Sequence, residues 1–313
     1  MTSHAIVQNE QRTHAPTPEI EDILAGFGKG SALPGYLRIS VVDYCNERCF
    51  FCHNEGVPVM GQRLDSALLY KVINASLALG KTKVKFTGGE PLLEPDLEAY
   101  IAYVKRQCPS SEVGIITNGV GLERRAAALK QAGLDTLSFS LHALDSKLYK
   151  SVTDVDALSS ALAGLDAAKA AGISLISINA VVGKRNISQL EPLVRYCAER
   201  GYRLRILDIL PTNEFLAQER LSTEELTAHV GALNGASHGQ VEVKPNLYHD
   251  KCVSCDARDK CGENEYLRLS TSGLLLPCMY RPDLVIPVSV ADTPHELRNK
   301  VALGFRRIRK DDR

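Results

Sequence analysis

The stretch from Asp43 to Gly56 reads DYCNERCFFCHNEG and sets Cys45, Cys49 and Cys52 inside eight residues, with three and then two residues between them. Four more of the nine cysteines, Cys252, Cys255, Cys261 and Cys278, gather in KCVSCDARDKCGENEYLRLSTSGLLLPC. Thiols this dense close disulfides, hold zinc or hold an iron–sulfur cluster. An odd total with tight clustering points to metal or redox chemistry rather than disulfides in a reducing compartment. A disulfide in the first loop strands the third thiol, and a structural zinc wants four ligands, so zinc would need His53 or a distant residue. A [4Fe-4S] cluster on three cysteines satisfies the count and leaves one iron open. The second group admits zinc on four thiolates or a second cluster. Cys108 and Cys197 stand alone and are expected as buried small hydrophobes.

Elements that could position these residues follow from the hydrophobic period. Short apolar runs alternate with amphipathic helical patterns: YLRISVV then LLYKVINASLALG, KVKFT then DLEAYIAYVKRQ, EVGIIT then ERRAAALKQAG, TLSFSL then ALAGLDAAKAAG, SLISINAVV then LEPLVRYCAERG, and finally RLRILDIL. Strict alternation means parallel βα units. Six units are fewer than a closed barrel needs, so the expected fold is α/β, a partial (β/α)6 barrel. Cys45 follows the first strand almost directly, which puts the triple at the C-terminal mouth, where such folds bind ligands. Three segments are expected: an N-terminal extension over 1–33 with one short helix from Glu19 to Ala25, the barrel over 34–212, and a smaller cysteine-bearing module over 213–313. In the last, Ser222 and Glu225 form a capping box, and YLRLS and LLLPC form a hairpin around STSG.

Composition limits the partners. Lys plus Arg and Asp plus Glu are both 37, so no overall field draws the protein to a nucleic-acid polymer or a bilayer. No run approaches the roughly 18 to 20 apolar residues of a membrane span. The first thirty residues lack a basic stretch followed by an apolar core. The expectation is a cytoplasmic protein with a small-molecule substrate.

The loop CNERCFFC after the first strand resembles the signature of the radical S-adenosylmethionine (SAM) enzymes. The resemblance implies a [4Fe-4S] cluster on Cys45, Cys49 and Cys52 whose open iron chelates SAM. One electron then cleaves the sulfonium, and a 5′-deoxyadenosyl radical abstracts hydrogen from the substrate. An electron donor such as flavodoxin or ferredoxin is implied as a partner. TGGEP, from Thr87 to Pro91, ends the second strand; its glycines permit close approach of backbone to a ligand. In the family this segment, here Gly88, Gly89 and Glu90, meets the SAM amino group. Thr117, Asn118, Ser140 and Asn179 are small polar residues near strand ends, suited to a cofactor's sugar and carboxylate. Arg205, a charge in an apolar strand, needs a partner if buried; the resemblance makes it the SAM carboxylate, the alternative being an ion pair with Asp208 or another barrel carboxylate.

Residues 36 to about 280 further resemble the GTP 3′,8-cyclases of molybdenum cofactor biosynthesis, through LRISVVDYCNERCFFC, KVKFTGGEPLL, ITNG, FSLHALD, SINAVVGKRN, RLRILDILP and LRLSTSGLLLPC. That implies a second [4Fe-4S] cluster on cysteines among Cys252, Cys255, Cys261 and Cys278. It also implies a phosphorylated substrate held by Arg38, Lys83, Lys85 and Arg268. Ser177 and Tyr266 stand where the family has a lysine and an arginine, Cys261 sits three residues early, and the chain ends FRRIRKDDR without the family's Gly-Gly tail. The expectation is therefore a divergent member acting on a nucleotide or nucleoside, for carbon–carbon bond formation or rearrangement in cofactor or natural-product biosynthesis. Alternatives are a true GTP 3′,8-cyclase, a peptide-modifying radical SAM enzyme, suggested by the C-x11-G-x4-C run ending at Cys278, and a non-enzymatic iron–sulfur or zinc protein. His53 is expected to pack near the cluster without ligating it, and RRIRK, from Arg306 to Lys310, to end a solvated helix.

Overall fold

A computed structural model describes residues 35–54, 57–173, 175–234, 241–244, 266–278 and 281–308. The N-terminal extension, Cys252, Cys255, Cys261 and the last residues of the basic tail lie outside them. The βα units appear in the expected order: β1 (Tyr36–Val42), α1 (Ser66–Ala78), β2 (Lys83–Gly88), α2 (Leu97–Gln107), β3 (Glu112–Thr117), α3 (Ala126–Gln131) and β4 (Thr136–Ser140). They continue through α4 (Ser146–Thr153), α5 (Leu158–Ala170), β5 (Leu175–Val182), α6 (Leu190–Arg200) and β6 (Arg203–Asp208). Then follow α7 (Glu214–Glu219), α8 (Thr223–Asn234), β7 (Val241–Lys244), the hairpin β8 (Tyr266–Leu269) and β9 (Leu274–Leu276), β10 (Ile286–Pro287) and α9 (Pro294–Ile308).

Among the described residues the ten strands form one open sheet in the order β10-β9-β8-β1-β2-β3-β4-β5-β6-β7. The six βα strands are its centre. Strand β7 adds to β6 and β8 adds to β1, both parallel, while β9 and β10 run antiparallel. Residues assigned from sequence to a C-terminal module thus hydrogen-bond to both edges of the barrel sheet.

Period-two alternation explains the layering. Leu37, Ile39 and Val41 of β1, Val84 and Phe86 of β2, and Leu204 and Ile206 of β6 are buried in one continuous apolar core with the helices. Helix α1 supplies Leu68, Leu69, Val72 and Ile73, and Asp65 caps it by accepting from Leu68 N at 3.0 Å. The opposite strand face carries Tyr36, Arg38 and Ser40 on β1, Lys83, Lys85 and Thr87 on β2, and Arg203 and Arg205 on β6. A parallel sheet packed on both faces reads as continuous apolar runs. This one carries polar and charged side chains on its inner face, so that face, called the lumen below, is not a second apolar core.

Helix α4 had no counterpart in the sequence reading. Asp145 caps it through Leu148 N at 2.9 Å, Tyr149, Val152 and Thr153 are its buried side, and Asp154 at φ 60° ends it. The expected capping box forms: Glu225 N donates to Ser222 Oγ at 3.1 Å and Ser222 N to Glu225 Oε2 at 2.6 Å. Cys197 is buried, as anticipated, but Cys108 is only half-buried. It caps the end of α2, and its Sγ lies 3.4 Å from Ser110 Oγ, where the chain has left the core.

Beyond β4, Leu141 N donates to Asn179 O at 3.0 Å, and His142 Nδ1 then accepts from Val181 N at 3.1 Å. A side chain here takes over from a main-chain carbonyl on the ladder. Burial holds the imidazole down to about 4.

Two stability outcomes follow. Phe86→Ala removes a fully buried ring and should cost about 3 to 5 kcal/mol in urea unfolding; Val59→Ala, at a position 61% exposed, should stay within about 0.5 kcal/mol. Equal costs would contradict the layering. His142 titrates near 6.5 when unfolded, so the native state binds fewer protons between that pH and about 4. Its contribution is complete above the unfolded value and declines as pH falls, by about 2 kcal/mol from pH 7 to pH 5. His142→Gln should lose that component of the pH dependence, and an unchanged profile would refute the buried neutral imidazole.

Candidate active site at the barrel mouth

The cysteine loop leaves β1 through Asp43, whose buried carboxylate accepts from Gln62 N at 2.8 Å and Met60 N at 3.1 Å and closes the loop's far end. Its other wall is α4: Arg48 N donates to Thr153 O at 2.8 Å and Phe50 N to Val152 O at 3.1 Å. Between Cys45 and Cys49, Glu47 is buried and accepts from the Tyr149 hydroxyl of α4 and from Cys49 Sγ at 3.6 Å. Outside, Phe51 packs edge-on to His142, and Arg185 lies 4.2 Å from the centre of the Phe50 ring and 5.6 Å from that of Phe215. Glu47, Tyr149 and His142 were not singled out from sequence. A lone acid between cysteines has no periodic signature; for α4, the N-cap Asp145 was the one local signal that could have been read.

Amide groups point at the sulfurs. Glu47 N lies 3.4 Å from Cys45 Sγ, Asn54 N 3.4 Å from Cys52 Sγ, and Asn118 Nδ2 3.8 Å from Cys45 Sγ. Although Cys45 is an exposed residue, desolvation at its sulfur pushes the thiol up to about 12, with Glu90, Glu47 and Cys52 adding to the rise. Cys49 is raised further, by burial first and then by Glu47, Cys52 and Cys45. The three thiols are thus close enough to oppose one another's ionisation. Among the described residues no three His, Cys, Asp or Glu side chains converge as a single ion requires. Three mutually near thiols, two of them with N–H donors aimed at the sulfur, suit a cationic multi-iron centre, which supplies the charge that makes thiolates favourable. His53 is exposed.

The glycines of TGGEP do something the sequence reading gave to a ligand. A Cβ on Gly88 would lie 2.2 Å from Val42 O, and one on Gly89 2.0 Å from Tyr44 O. Gly89 N donates to Val42 O at 2.8 Å and Glu90 N to Tyr44 O at 3.0 Å. The close approach is therefore to the cysteine loop's own backbone, locking the two segments together. Glu90 is buried and accepts from Thr117 Oγ1 at 2.6 Å, Asn118 N at 2.8 Å and Leu92 N at 2.9 Å. Burial still raises it to about 7, against the pull of those bonds. Asn118 in turn reaches Asn46 Oδ1 at 2.8 Å, so Glu90, Thr117, Asn118 and the cysteine loop form one network.

Ser140, Asn179 and Arg205 stand in register on β4, β5 and β6. The Asn179 Oδ1 atom is buried and has no protein partner, which fits a hydroxyl-bearing ligand at the mouth. Asp208 takes Arg220 as its ion pair, at 2.9 Å, and lies with Leu204 and Ile206 on the face opposite Arg205. Period two thus excludes the Arg205–Asp208 pairing considered from sequence.

Deeper in the lumen, Arg268, Arg38 and Lys85 stand in register on β8, β1 and β2. Arg38 and Arg268 lie 4.9 and 5.5 Å from the Tyr266 ring centre, and Lys83 and Lys85 each 5.5 Å from that of Tyr36. Lys83 also pairs with Glu112 at 3.0 Å. Four strand residues separate this row from the mouth, a rise of about 13 Å. Cys278 is half-buried just past β9; its three expected companions are outside the described residues.

Comparison with known proteins agrees with this geometry. The Radical SAM superfamily model matches residues 39–197. "GTP 3′,8-cyclase 2" of Mycobacterium tuberculosis (strain ATCC 25618 / H37Rv) is 41% identical over 187 residues, covering 56% of this chain and 50% of the relative; the chain spans about half the length of such mycobacterial relatives. A "Probable GTP 3′,8-cyclase" of Methanococcus maripaludis (strain S2 / LL) is 31% identical over 270 residues, covering 84% of this chain and 89% of that one. Streptococcus suis SuiB bound to S-adenosylmethionine superposes with a TM-score of 0.64 at 18% identity, over 82% of this chain and 64% of that chain. Native anSMEcpe with bound AdoMet gives 0.63 at 15%, over 84% and 80%. With the three-cysteine loop, the glycine lock and the partial barrel in place, the chain belongs to the radical SAM superfamily.

Proposed function

We propose that this protein cleaves SAM reductively and abstracts hydrogen from a phosphorylated nucleotide- or nucleoside-like substrate in the lumen, for carbon–carbon bond formation or rearrangement in a biosynthetic pathway. The observation that carries the reading is the register-matched row of Arg268, Arg38 and Lys85 below the mouth. A polyanion needs several convergent cations, and here they stand at a depth that a nucleotide spans.

A [4Fe-4S] cluster held by Cys45, Cys49 and Cys52 would supply the electron for reductive cleavage of SAM, and SAM the radical chemistry. The chain's residues bind, orient and shield. Cys45, Cys49 and Cys52 hold the cluster, and α4 with Glu47 and Tyr149 fixes their loop. Gly88, Gly89 and Glu90 with Thr117 and Asn118 form the wall against the methionine end of SAM. Ser140, Asn179 and Arg205 take its polar groups from the far side of the mouth. Arg38, Lys83, Lys85 and Arg268 anchor the substrate phosphates and so fix which carbon faces the mouth. Cys252, Cys255, Cys261 and Cys278 are assigned to a second cluster, and a flavodoxin- or ferredoxin-like donor to the electron supply.

A second reading, a true GTP 3′,8-cyclase, is supported by the named archaeal relative, aligned over most of both chains. Tyr266, gripping Arg38 and Arg268 through its ring, distinguishes this lumen from one lined there by an arginine.

Reduced, reconstituted protein given SAM and a panel of ribonucleotides and nucleosides should form 5′-deoxyadenosine faster with at least one of them, and GTP should serve only if the second reading holds. No acceleration by any member of the panel would reject the substrate class. With an accepted nucleotide, Arg38→Ala should raise KM about ten- to a hundredfold, the size of a lost charge-assisted hydrogen bond; an unchanged KM would remove Arg38 from the site. Tyr149→Phe should lower the iron bound per chain after anaerobic reconstitution, and full loading would show that the α4 tether is dispensable.

A further inference from the structure

Arg63 is where the cysteine loop returns to the sheet. It bridges Val42, and beside it Leu64 N donates to Val41 O at 2.9 Å. The loop's stem is already closed there by these main-chain contacts and by Asp43, which accepts from Met60 N and Gln62 N. The Arg63 guanidinium reaches further, to the chain beyond TGGEP. Its Nε donates to Glu94 Oε2 at 2.9 Å, and its Nη2 to Glu94 Oε1 and, at 2.8 Å, to Asp96 Oδ2. The Glu94 side chain is wholly buried, whereas that of Arg63 is 43% exposed. An ion pair between two exposed groups contributes little. A two-pronged grip on a buried carboxylate fixes direction as well as distance, and such a carboxylate is strongly destabilising without its partner.

Glu94 lies one short turn, Pro91–Leu93, beyond Glu90. Leu93 N donates to Glu90 O at 3.1 Å and Glu94 N to Pro91 O at 3.0 Å, and Pro91 has its φ fixed by its ring, so the two acids are held as one piece. A second arginine grips the same turn. Arg125, the residue before α3, donates from Nη1 to Leu92 O at 2.7 Å and to Glu94 O at 2.8 Å while it pairs with Glu98. The chain segments that follow β1, β2 and β3 thus meet at Glu94, at the far end of the turn from Glu90. We propose that Arg63 is a positioning residue for SAM binding: through Glu94 it holds the Pro91–Leu93 turn and so sets where Glu90 stands relative to the cysteine loop. This rests on reading Glu90 as part of the wall against the methionine end of SAM and deepens it, because it names the side chain that fixes this wall to the loop carrying the cysteines.

The test uses anaerobically reconstituted full-length protein, with iron per chain, thermal unfolding and the Kd for SAM by equilibrium dialysis as readouts. Arg63→Met alone would strand the buried Glu94 carboxylate, so Arg63→Met is combined with Glu94→Leu, which removes both charges. The double replacement should keep the iron content of the unaltered protein and raise the Kd for SAM about tenfold, the size of a lost charge-assisted hydrogen bond. Arg63→Lys, a point charge in place of the fork, should fall between the two. Glu90→Gln should also weaken SAM binding, and adding it to the double replacement should cost less than the product of the separate effects, since both act on one contact. An unchanged Kd in the double replacement, with Glu90→Gln still weakening SAM, would overturn the positioning role and leave the wall standing. No effect of Glu90→Gln would remove the wall and this role together. Iron loss in step with SAM loss, or effects that multiply in full, would show Arg63 to be a support of the cysteine loop alone and overturn the proposal. Should the double replacement fail to fold, Arg63→Lys decides: full iron with unweakened SAM binding would overturn it.

Discussion

Three sulfur ligands share one loop whose lining disfavours the ionised form of two of them, Cys45 and Cys49, and the rest of the site depends on resolving that conflict. Burial and mutual repulsion raise Cys45 and Cys49, so the loop without metal holds thiols. A cationic cluster reverses the sign of the local field and turns the same crowding into ligation. For that to work the loop must already be shaped, because three side chains cannot be gathered by a centre that binds only after they are in place. The hydrogen bonds to α4, to the Asp43 carboxylate and to the Gly88–Gly89 segment provide that shape.

The strand alternation provides the space beneath. Each central strand sends apolar side chains to the helices and polar ones inward, so the lumen is lined in successive rows. The cation row lies below, and the Ser140, Asn179 and Arg205 row lies at the mouth. Along β4 the two rows stand four residues apart, a rise of about 13 Å.

Much of this was legible in the chain. Strands EVGIIT and YLRISVV were recovered to the residue because period two is a local property, and the cysteine spacing named the chemistry. Nonlocal arrangements were not legible. That β8 would pair with β1, and so set Arg268 beside Arg38, depends on sheet order, which no short window encodes. Helix α4 was missed because eight residues reading SKLYKSVT are mostly polar, although Asp145 signalled its start. The packing of Gly88 and Gly89 on Val42 and Tyr44 was not legible, because a glycine pair shows that something comes close without showing what. The Arg205–Asp208 alternative was avoidable, since residues three apart on a strand face opposite ways.

The central claim is that one iron of the three-cysteine cluster is left by the polypeptide for SAM. Electron–nuclear double resonance on the reduced cluster with SAM labelled by nitrogen-15 at its amino group measures this directly. The account predicts a hyperfine coupling to that nitrogen, lost when Cys49 is replaced by alanine. A reduced [4Fe-4S] signal that shows no coupling at saturating SAM would mean that the fourth iron already has a protein ligand, and would contradict the account.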